Sequence, residues 1–275
     1  MISRRISPHD LVIALAEQVQ TGDLRVVDLT WPLDSNTPTI QLPPPKVSPP
    51  GFRLWELSRY DHRGQHEYWN AFEMGEHVGT HFDAPIHWFT GRHLEDVGSI
   101  APERLLASGV VVDVTAQADR DSDFLLDIED VKRFEADHGL LPPRSWLLIR
   151  TGWGRRYPDP ARFRNPGQDG KPHWPGLTVG CARWLAGRSE LLGVGIDTIG
   201  TDAGISAAFD PAHPAHHFLH GAGKYGMSSL ANLDQLPAAG FLLITAPLRI
   251  AGGSGSPVRA LALVPTQQPN EAPSA

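Results

Sequence analysis

A run of histidine and aspartate residues in the first third of the chain has the composition of a metal site. The segment His77-Val-Gly-Thr-His81-Phe-Asp83-Ala-Pro-Ile-His87 holds three imidazoles and one carboxylate within eleven residues. Imidazole nitrogen and carboxylate oxygen together suit zinc or manganese. A chance His-rich turn, with each ring bonded to the backbone, would explain any single histidine but not the whole cluster.

The even spacing of these residues indicates how one segment could supply several ligands. If the segment is extended, His77, His81, Asp83 and His87 project to one side, and Gly79 lets the backbone pass close to a bound ion. Three protein ligands would leave coordination positions open for water. That arrangement is typical of catalytic rather than structural metal sites.

The elements before this segment are a helix, a strand and a hairpin. Apolar periodicity predicts a helix over residues 8–21, followed by a strand over 24–29. Seven prolines in residues 32–51 exclude regular structure and predict a rigid loop of the kind that often covers a site. Residues 52–74 read as two extended segments, with the turn between them at 61–64.

After the cluster, strand and helix patterns alternate. This alternation predicts an α/β fold: a single domain with a mixed β-sheet over residues 1–265, and a flexible tail over 266–275. Residues 155–176 lack apolar periodicity and are interpreted as a surface excursion or an oligomer contact. The predicted strands are 109–114, 146–150, 191–196 and 241–248, and the predicted helices are 127–138, with Asp127 as N-cap, and 178–190.

Composition narrows the classes of partner. A net charge of -7 and a pI near 6.0 give no reason to approach nucleic acid or anionic lipid, so neither is expected as a partner. The apolar run at 11–16 is too short for a signal peptide or a membrane span. Cys181 is the single cysteine, which excludes an intrachain disulfide, and we expect it to be buried and inert in a cytoplasmic protein.

The His-rich segment resembles the His-x-Gly-Thr-His-x-Asp-x-Pro-x-His signature of the metal-dependent cyclase family, which includes bacterial kynurenine formamidases and isatin hydrolases. Every fixed position of the signature matches. Shorter segments that resemble the family's recurring segments lie at 28–30, 150–153, 195–198 and 256–259.

This resemblance implies a hydrolase of amide bonds on a swivelling β/β/α domain. His77, His81 and Asp83 would be the metal ligands and His87 the catalytic acid or base. Pro214-Ala-His216-His217 resembles the family's second histidine segment, which places a catalytic His216 at the site. A bound dication would lower the pKa of its water from 15.7 toward about 7 and polarise the amide carbonyl. His216 would stabilise the developing oxyanion.

One departure from the kynurenine formamidases bears on the number of metal ions. Those enzymes carry a glutamate that bridges two zinc ions twelve residues after the histidine that matches His216; here that position is Ser228. A serine cannot provide the bridging negative charge. The similarity is therefore closer to the isatin hydrolase type, with one divalent metal per subunit and Mn2+ favoured weakly over Zn2+.

The function predicted from these observations is hydrolysis of a cyclic amide, such as an isatin-like or lactam ring. An arylformamidase of the kynurenine formamidase type is the nearest alternative. A metal-binding assembly protein without turnover is an alternative of another class. Residues 155–176 and the family resemblance predict a homodimer or higher homo-oligomer.

Four aromatic residues flank the signature and could line a pocket for a flat substrate, although for each ring separately core packing is the favoured interpretation. They are Trp69, Phe72, Trp88 and Phe89.

Two other features are interpreted as structural. The Gly-rich run at residues 252–256 predicts a flexible turn between strands. Asp197 and Asp202 follow a predicted strand, where aspartates usually cap or turn the chain.

Overall fold

The computed structural model describes residues 7–266 and is organised around an eight-stranded mixed sheet. The predicted tail over 266–275 therefore lies, apart from Thr266, outside the described residues. The strands are β1 (Leu24–Asp28), β2 (Arg53–Asp61), β3 (Gly64–Glu73), β4 (His81–Asp83), β5 (Leu106–Asp113), β6 (Leu125–Leu126), β7 (Ser145–Arg150), β8 (Gly176–Leu177), β9 (Leu191–Ile196), β10 (Tyr225–Ser228), β11 (Phe241–Pro247) and β12 (Gly255–Pro265). The α-helices are α1 (Pro8–Thr21), α2 (Thr115–Arg120), α3 (Ile128–His138), α4 (Pro160–Arg164) and α5 (Val179–Ala186).

The sheet closes on itself through its shortest strand. Its order is β1-β12-β11-β5-β7-β9-β10-β4, and β4 also pairs with β12. Strands β5, β7, β9 and β10 run parallel, whereas β4, β11, β12 and β1 add antiparallel pairs. Seven strands thus form a barrel-like ring, and β1 pairs with residues 261–265 of β12, beyond the residues of β12 that pair with β4. The prediction of a single α/β domain with a mixed sheet is confirmed.

Strand β7 shows why the chain packs in layers. Its side chains alternate between the two faces of the sheet, as the two-residue period of a strand requires. Trp146 and Leu148 belong to the core cluster that also holds Phe82. Leu147 and Ile149 pack in a separate cluster under α3 and α5. Burying each such side chain stabilises the fold by about 1.5–3 kcal/mol. The sheet is therefore stabilised by packing on both of its faces.

Most of the predicted elements are present at the predicted places. Helix α1 begins after the N-cap Ser7 and ends at Thr21, followed by the C-cap Gly22 in a left-handed conformation. Asp127 caps α3 through a reciprocal pair of hydrogen bonds with Asp130. The predicted helix at 178–190 is shorter than expected, because α5 ends at Ala186. Within residues 7–266, no helix combines the length and apolar character needed to cross a membrane.

The interpretation of residues 155–176 as a surface excursion is wrong for its aromatic side chains. Phe163 and Trp174 are buried and share a third core cluster with Trp153 and Tyr157. The indole nitrogen of Trp174 donates a hydrogen bond to the backbone oxygen of Asp202 at 2.8 Å. Two widely spaced rings give no helical or strand periodicity, so their burial is invisible in the pattern of the sequence.

Candidate metal centre

The His-rich segment is only partly a strand. His81 and Asp83 lie on β4, His77 lies in the turn before it, and His87 ends a 3-10 turn over Pro85–His87. The interpretation of one extended segment carrying all four residues is therefore wrong. Gly79, between His77 and β4, has a φ of +67°, a left-handed conformation that glycine adopts without strain.

Glycines on both neighbouring strands make room for these side chains. Asp83 lies opposite Gly226 on β10 and opposite Gly255 on β12. A Cβ atom at Gly226 would come within 2.8 Å of Asp83 Oδ2, and one at Gly255 within 2.4 Å of His77 Cε1. A side chain at Gly226 or Gly255 would therefore collide with Asp83 or His77, and the two glycines leave the space that these polar residues occupy.

The loop over residues 32–51 lies against the same turn. It contains no helix or strand, as predicted. Its Leu33 approaches Gly79 so closely that a Cβ atom there would lie 2.7 Å from Leu33 Cδ2, and Pro49 approaches Gly75 in the same way. The expected covering loop is therefore packed on the turn that carries His77.

Asp83 is the centre of the cluster. Its Oδ1 lies 2.6 Å from His77 Nδ1 and 3.4 Å from His81 Nε2. The rings of His77 and His87 stack with centroids 3.8 Å apart. One ligand atom each from His77, Asp83 and His87 lie within 4.8 Å of one another.

The structure also brings the second histidine segment to this carboxylate. His216 and His220 lie on a π-helical turn, and their ligand atoms lie within 4.8 Å of each other and of an Asp83 oxygen. The ring of His87 lies between the two segments, with its centroid 5.4 Å from that of His216. Asp83 therefore belongs to two possible three-residue ligand sets.

All five predicted site residues thus meet, but their arrangement differs in detail from the prediction. His81 faces Asp83 without belonging to either three-residue set, and His87, predicted as the proton-transfer residue, is close enough to be a ligand. The assignment of His77, His81 and Asp83 as ligands and of His87 and His216 as catalytic residues stays a prediction.

Hydrogen bonds fix which nitrogen of each ring faces the centre. His81 Nδ1 donates to Gly79 O at 2.9 Å, which leaves its Nε2 lone pair toward Asp83. His220 Nδ1 donates to Lys224 O at 3.0 Å. The buried His220 Nε2 has no hydrogen-bond partner among the described residues. Unpaired nitrogens beside a buried carboxylate fit the donor set of a divalent cation.

Burial controls the charge of the cluster. Burial, aided by the charge of His77, lowers the pKa of His87 to about 2, so its imidazole is neutral. A pKa this low makes the neutral His87 ring a weak base and its protonated form a strong acid. Burial opposes ionisation of Asp83, but the charge of His81 and the hydrogen bond from His77 hold its pKa well below the usual range. A buried negative carboxylate beside the neutral ring of His87 is suited to a cation.

His216 has a different environment, because its Nδ1 contacts the buried carboxylate of Asp202. Burial alone would lower the pKa of His216, but the hydrogen bond and charge of Asp202 raise it above the ordinary value. Asp202 also accepts a hydrogen bond from the backbone nitrogen of Ala215 at 2.7 Å. The sequence interpretation of Asp202 as a structural turn residue missed this contact to His216.

His220 was also missed by the sequence interpretation. Its one signal was its spacing of four residues from His216, which places two side chains on one side of a helical turn. Ser228 lies directly opposite His81 in the β10–β4 ladder, and its buried hydroxyl has no hydrogen-bond partner among the described residues.

The flanking aromatic residues separate into two groups. The ring of Trp88 lies 5.0 Å from that of His216 and so borders the site. Core packing is wrong for the other three, since 57–61% of each residue's surface is exposed. Trp69 and Phe72 lie on the β2–β3 hairpin, and Phe89 contacts His217.

Comparison with known proteins identifies what this chain is similar to. The Cyclase family model matches residues 27–203. The chain is 42% identical to an isatin hydrolase of Roseibium aggregatum over 263 residues, which is 94% of this chain and 99% of that protein. A kynurenine formamidase of Bordetella pertussis is 30% identical over 190 residues, covering 68% of this chain and 77% of that enzyme. The crystal structure of an isatin hydrolase bound to the product analogue thioisatinate superposes with a TM-score of 0.92 at 41% identity, covering 95% of this chain and 100% of that one.

Proposed function

The chain belongs to the Cyclase family, and from that premise we propose that it is a metal-dependent hydrolase that opens the ring of an isatin-like cyclic amide. The observation that carries the proposal is the buried Asp83 carboxylate, which is surrounded by the imidazoles of both histidine segments. A divalent cation at this place would supply Lewis-acid activation of water and of the amide carbonyl.

His87 is the proposed proton carrier. Its ring lies between those of His77 and His216, close to where water would attack. The ring is in the neutral form that can accept a proton, and its lowered pKa favours release of that proton to the leaving nitrogen. It accepts a proton as the nucleophilic oxygen bonds to the carbonyl carbon. It then returns the proton to the ring nitrogen as the C–N bond breaks. Both steps use one imidazole, and the ring-opened product keeps its new amine and carboxylate on the same molecule.

His216 is proposed to stabilise the oxyanion that develops on the carbonyl oxygen. Its Nδ1 is occupied by Asp202, so its Nε2 is the nitrogen available to the centre. The carboxylate partner favours the charged ring, which donates a stronger hydrogen bond than a neutral one. Trp88, beside His216, offers a flat wall for an aromatic substrate.

We propose one metal ion per subunit, held by His77, His81 and Asp83, with manganese favoured weakly over zinc. The support is Ser228, whose hydroxyl brings no negative charge to the second set of residues. One observation favours the alternative arylformamidase with two ions: Asp83, His216 and His220 form a second three-residue set. The position of His87 between His77 and His216, where it could transfer a proton, argues against a metal-binding protein without turnover.

A homo-oligomer is proposed on the evidence of the β2–β3 hairpin rather than of residues 155–176. The hairpin forms a separate two-stranded sheet, and such a pair is marginally stable alone in water. Both strands expose large apolar side chains of the kind that mark protein interfaces. These include Leu54, Trp55, Leu57, Tyr60, Tyr68, Trp69 and Phe72.

Two finer points are also proposed. The family resemblance supports the swivelling β/β/α type for the fold. A cytoplasmic location is supported by the single buried Cys181, because the fold depends on no intrachain disulfide.

The test of function combines metal analysis with hydrolysis. Protein purified without added metal is loaded with Mn2+ or Zn2+, and metal per subunit is measured beside hydrolysis of isatin, a simple lactam and N-formylkynurenine. One equivalent with isatin opening supports the proposal. Two equivalents with preference for the formamide support the arylformamidase. Metal binding with no hydrolysis of any of these substrates would leave a metal-binding protein.

A further inference from the structure

The Gly-rich turn between β11 and β12 is anchored beside the metal centre. The backbone oxygen of Ser254 accepts a hydrogen bond from Ala84 N at 3.0 Å, and that of Gly253 accepts one from Val97 N at 2.9 Å. Gly252 N donates to Asp96 Oδ2 at 2.9 Å. The expectation of a flexible turn is therefore not met, because backbone groups of three successive residues are fixed to neighbouring segments.

Glycine is required where this turn approaches the histidine segment. A Cβ atom at Gly253 would lie 3.0 Å from Glu76 Oε1, and one at Gly255 would lie 2.4 Å from His77 Cε1. Ser254, between these two glycines, is the residue of the turn whose side chain contacts both Glu76 and His77. The pattern of small residues thus serves a close approach rather than mobility.

The hydroxyl of Ser254 connects these two residues in a defined direction. Its Oγ lies 2.6 Å from Glu76 Oε2 and 2.8 Å from His77 Nε2. An ionised carboxylate only accepts hydrogen bonds, so the single hydroxyl proton points to Glu76. The backbone nitrogen of Ser254 donates to the same carboxylate oxygen at 3.2 Å, which holds the serine in place.

The direction of this bond selects the tautomer of His77. With its proton engaged by Glu76, Ser254 Oγ offers a lone pair to His77 Nε2, and that nitrogen must carry hydrogen. The other ring nitrogen, Nδ1, lies 2.6 Å from Asp83 Oδ1 and makes the hydrogen bond to that carboxylate. A cation bound at Asp83 would take the place of the Nδ1 proton, so Nδ1 is the nitrogen that His77 would offer to it.

We propose that Ser254, held by Glu76, is a positioning residue that fixes His77 as the Nε2–H tautomer and so presents Nδ1 as its metal-ligating atom. The inference rests on the metal site of the proposed function and extends it to a hydrogen-bonded pair outside the ligands. Such partners of ligating histidines orient the ring and tune its basicity, and their loss typically weakens metal binding about 10- to 100-fold.

The test compares three serine variants by their metal dissociation constant, measured with a competing chelator on the full chain. Ser254→Ala is expected to bind Zn2+ and Mn2+ about 10- to 100-fold more weakly. Ser254→Thr, which keeps the hydroxyl, should restore most of the affinity. Ser256→Ala is the matched control and should leave affinity unchanged, because within residues 7–266 Ser256 Oγ bonds to backbone groups of Leu248 and Pro257 alone.

A second readout is independent of folding in the variants. In zinc-loaded wild-type protein, 15N NMR should show His77 protonated at Nε2 and coordinated through Nδ1. Equal affinity of Ser254→Ala and wild type, coordination through Nε2, or no metal binding by wild type would each overturn the inference. Metal binding without hydrolysis would count against the proposed function alone, since neither readout depends on turnover.

Discussion

The Oδ2 atom of Asp202 lies 2.5 Å from His216 Nδ1, while its Oδ1 accepts a hydrogen bond from the backbone of Ala215. Both carboxylate oxygens therefore accept hydrogen bonds from the segment that carries His216. An asparagine at position 202 would place its NH2 group against either Ala215 N–H or His216 Nδ1–H, and two donors cannot form a hydrogen bond. The His216 ring would then lose its orientation or change its tautomer.

Asp202→Asn should therefore lower kcat about 10- to 100-fold while leaving the metal content per subunit unchanged. The measurement is steady-state hydrolysis of isatin beside elemental analysis and a thermal melt. Loss of metal together with activity would instead place His216 among the ligands, in the set that also contains His220.

His81→Ala and His87→Ala separate metal binding from proton transfer. His81→Ala removes a nitrogen that faces Asp83 Oδ1 at 3.4 Å and should lose both metal and activity. His87→Ala should keep the metal and lose activity by about 100- to 10,000-fold, the usual contribution of a general acid or base. Elemental analysis and isatin hydrolysis of the same preparations provide the check. If His87→Ala also lost the metal, His87 would be a ligand, as its distance to His77 and Asp83 allows.

Gly91 allows the two histidine segments to touch. A Cβ atom there would lie 2.1 Å from Pro85 O and 2.8 Å from His220 O. Gly91→Ala should thus separate the turn of His87 from the helix of His220, lowering the free energy of unfolding by about 1–3 kcal/mol and reducing activity. Gly200→Ala is the control, since nothing lies within 4 Å of its added Cβ atom. Chemical denaturation measures the free energy of unfolding of the two variants, and isatin hydrolysis measures their activity. Equal stability of the two variants would contradict the prediction.

His173 gives the stability of the fold a defined pH dependence. It lies 2.8 Å from Asp123, and hydrogen bonds to Asp123 and Asp169 raise the pKa of His173 above the ordinary value of 6.5. A raised pKa means that the contribution is fully present below pH 6.5 and is lost as the pH rises through the folded-state value. His173→Gln should then be less stable than wild type at pH 5.5, by up to about 1 kcal/mol for a partly exposed pair.

The difference between His173→Gln and wild type should shrink at pH values above the raised pKa of His173. Denaturant titrations at several pH values measure it, with the exposed His66→Gln as control. A difference that does not change with pH would show that His173 acts through packing rather than charge.

If the exposed apolar side chains of the β2–β3 hairpin form the subunit interface, a charged residue placed among them should prevent oligomer formation. Trp69→Glu should dissociate a homo-oligomer into monomers, because a carboxylate replaces a ring of which 59% is exposed in the single chain. Light scattering after size exclusion measures the mass. Gln65→Glu, at an exposed position on the same strand, is the matched control and should leave the mass unchanged. A monomeric wild type would refute the proposed assembly.

How far the sequence predicts this protein depends on whether a feature is local. The capped helix α3 and the hairpin follow from short-range patterns, and both are found at the predicted places. The meeting of His77, His87 and His216 followed from matching the family signature. Periodicity alone gave the wrong geometry, because only residues 81–83 form a strand.

Other features could not be predicted because they depend on contacts distant in the chain. The role of Asp202 depends on a π-helical turn fourteen residues later. Ser254 lies 177 residues from His77, and nothing in a Gly-rich run indicates which side chain it will approach. Phe163 and Trp174 are buried but lie in a segment without apolar periodicity, so no sequence pattern predicts their burial.

The double pairing of β4 links ligand binding to conformational stability. This three-residue strand closes the ring by pairing with both β10 and β12, and it carries His81 and Asp83. A cation bound only by the closed ring stabilises it by mass action, adding about 1.4 kcal/mol for each tenfold rise in free ion above the dissociation constant. If the proposed ion binds at β4, the apparent stability of this fold should rise with metal concentration, because the strand that closes the ring also carries two of the proposed ligands.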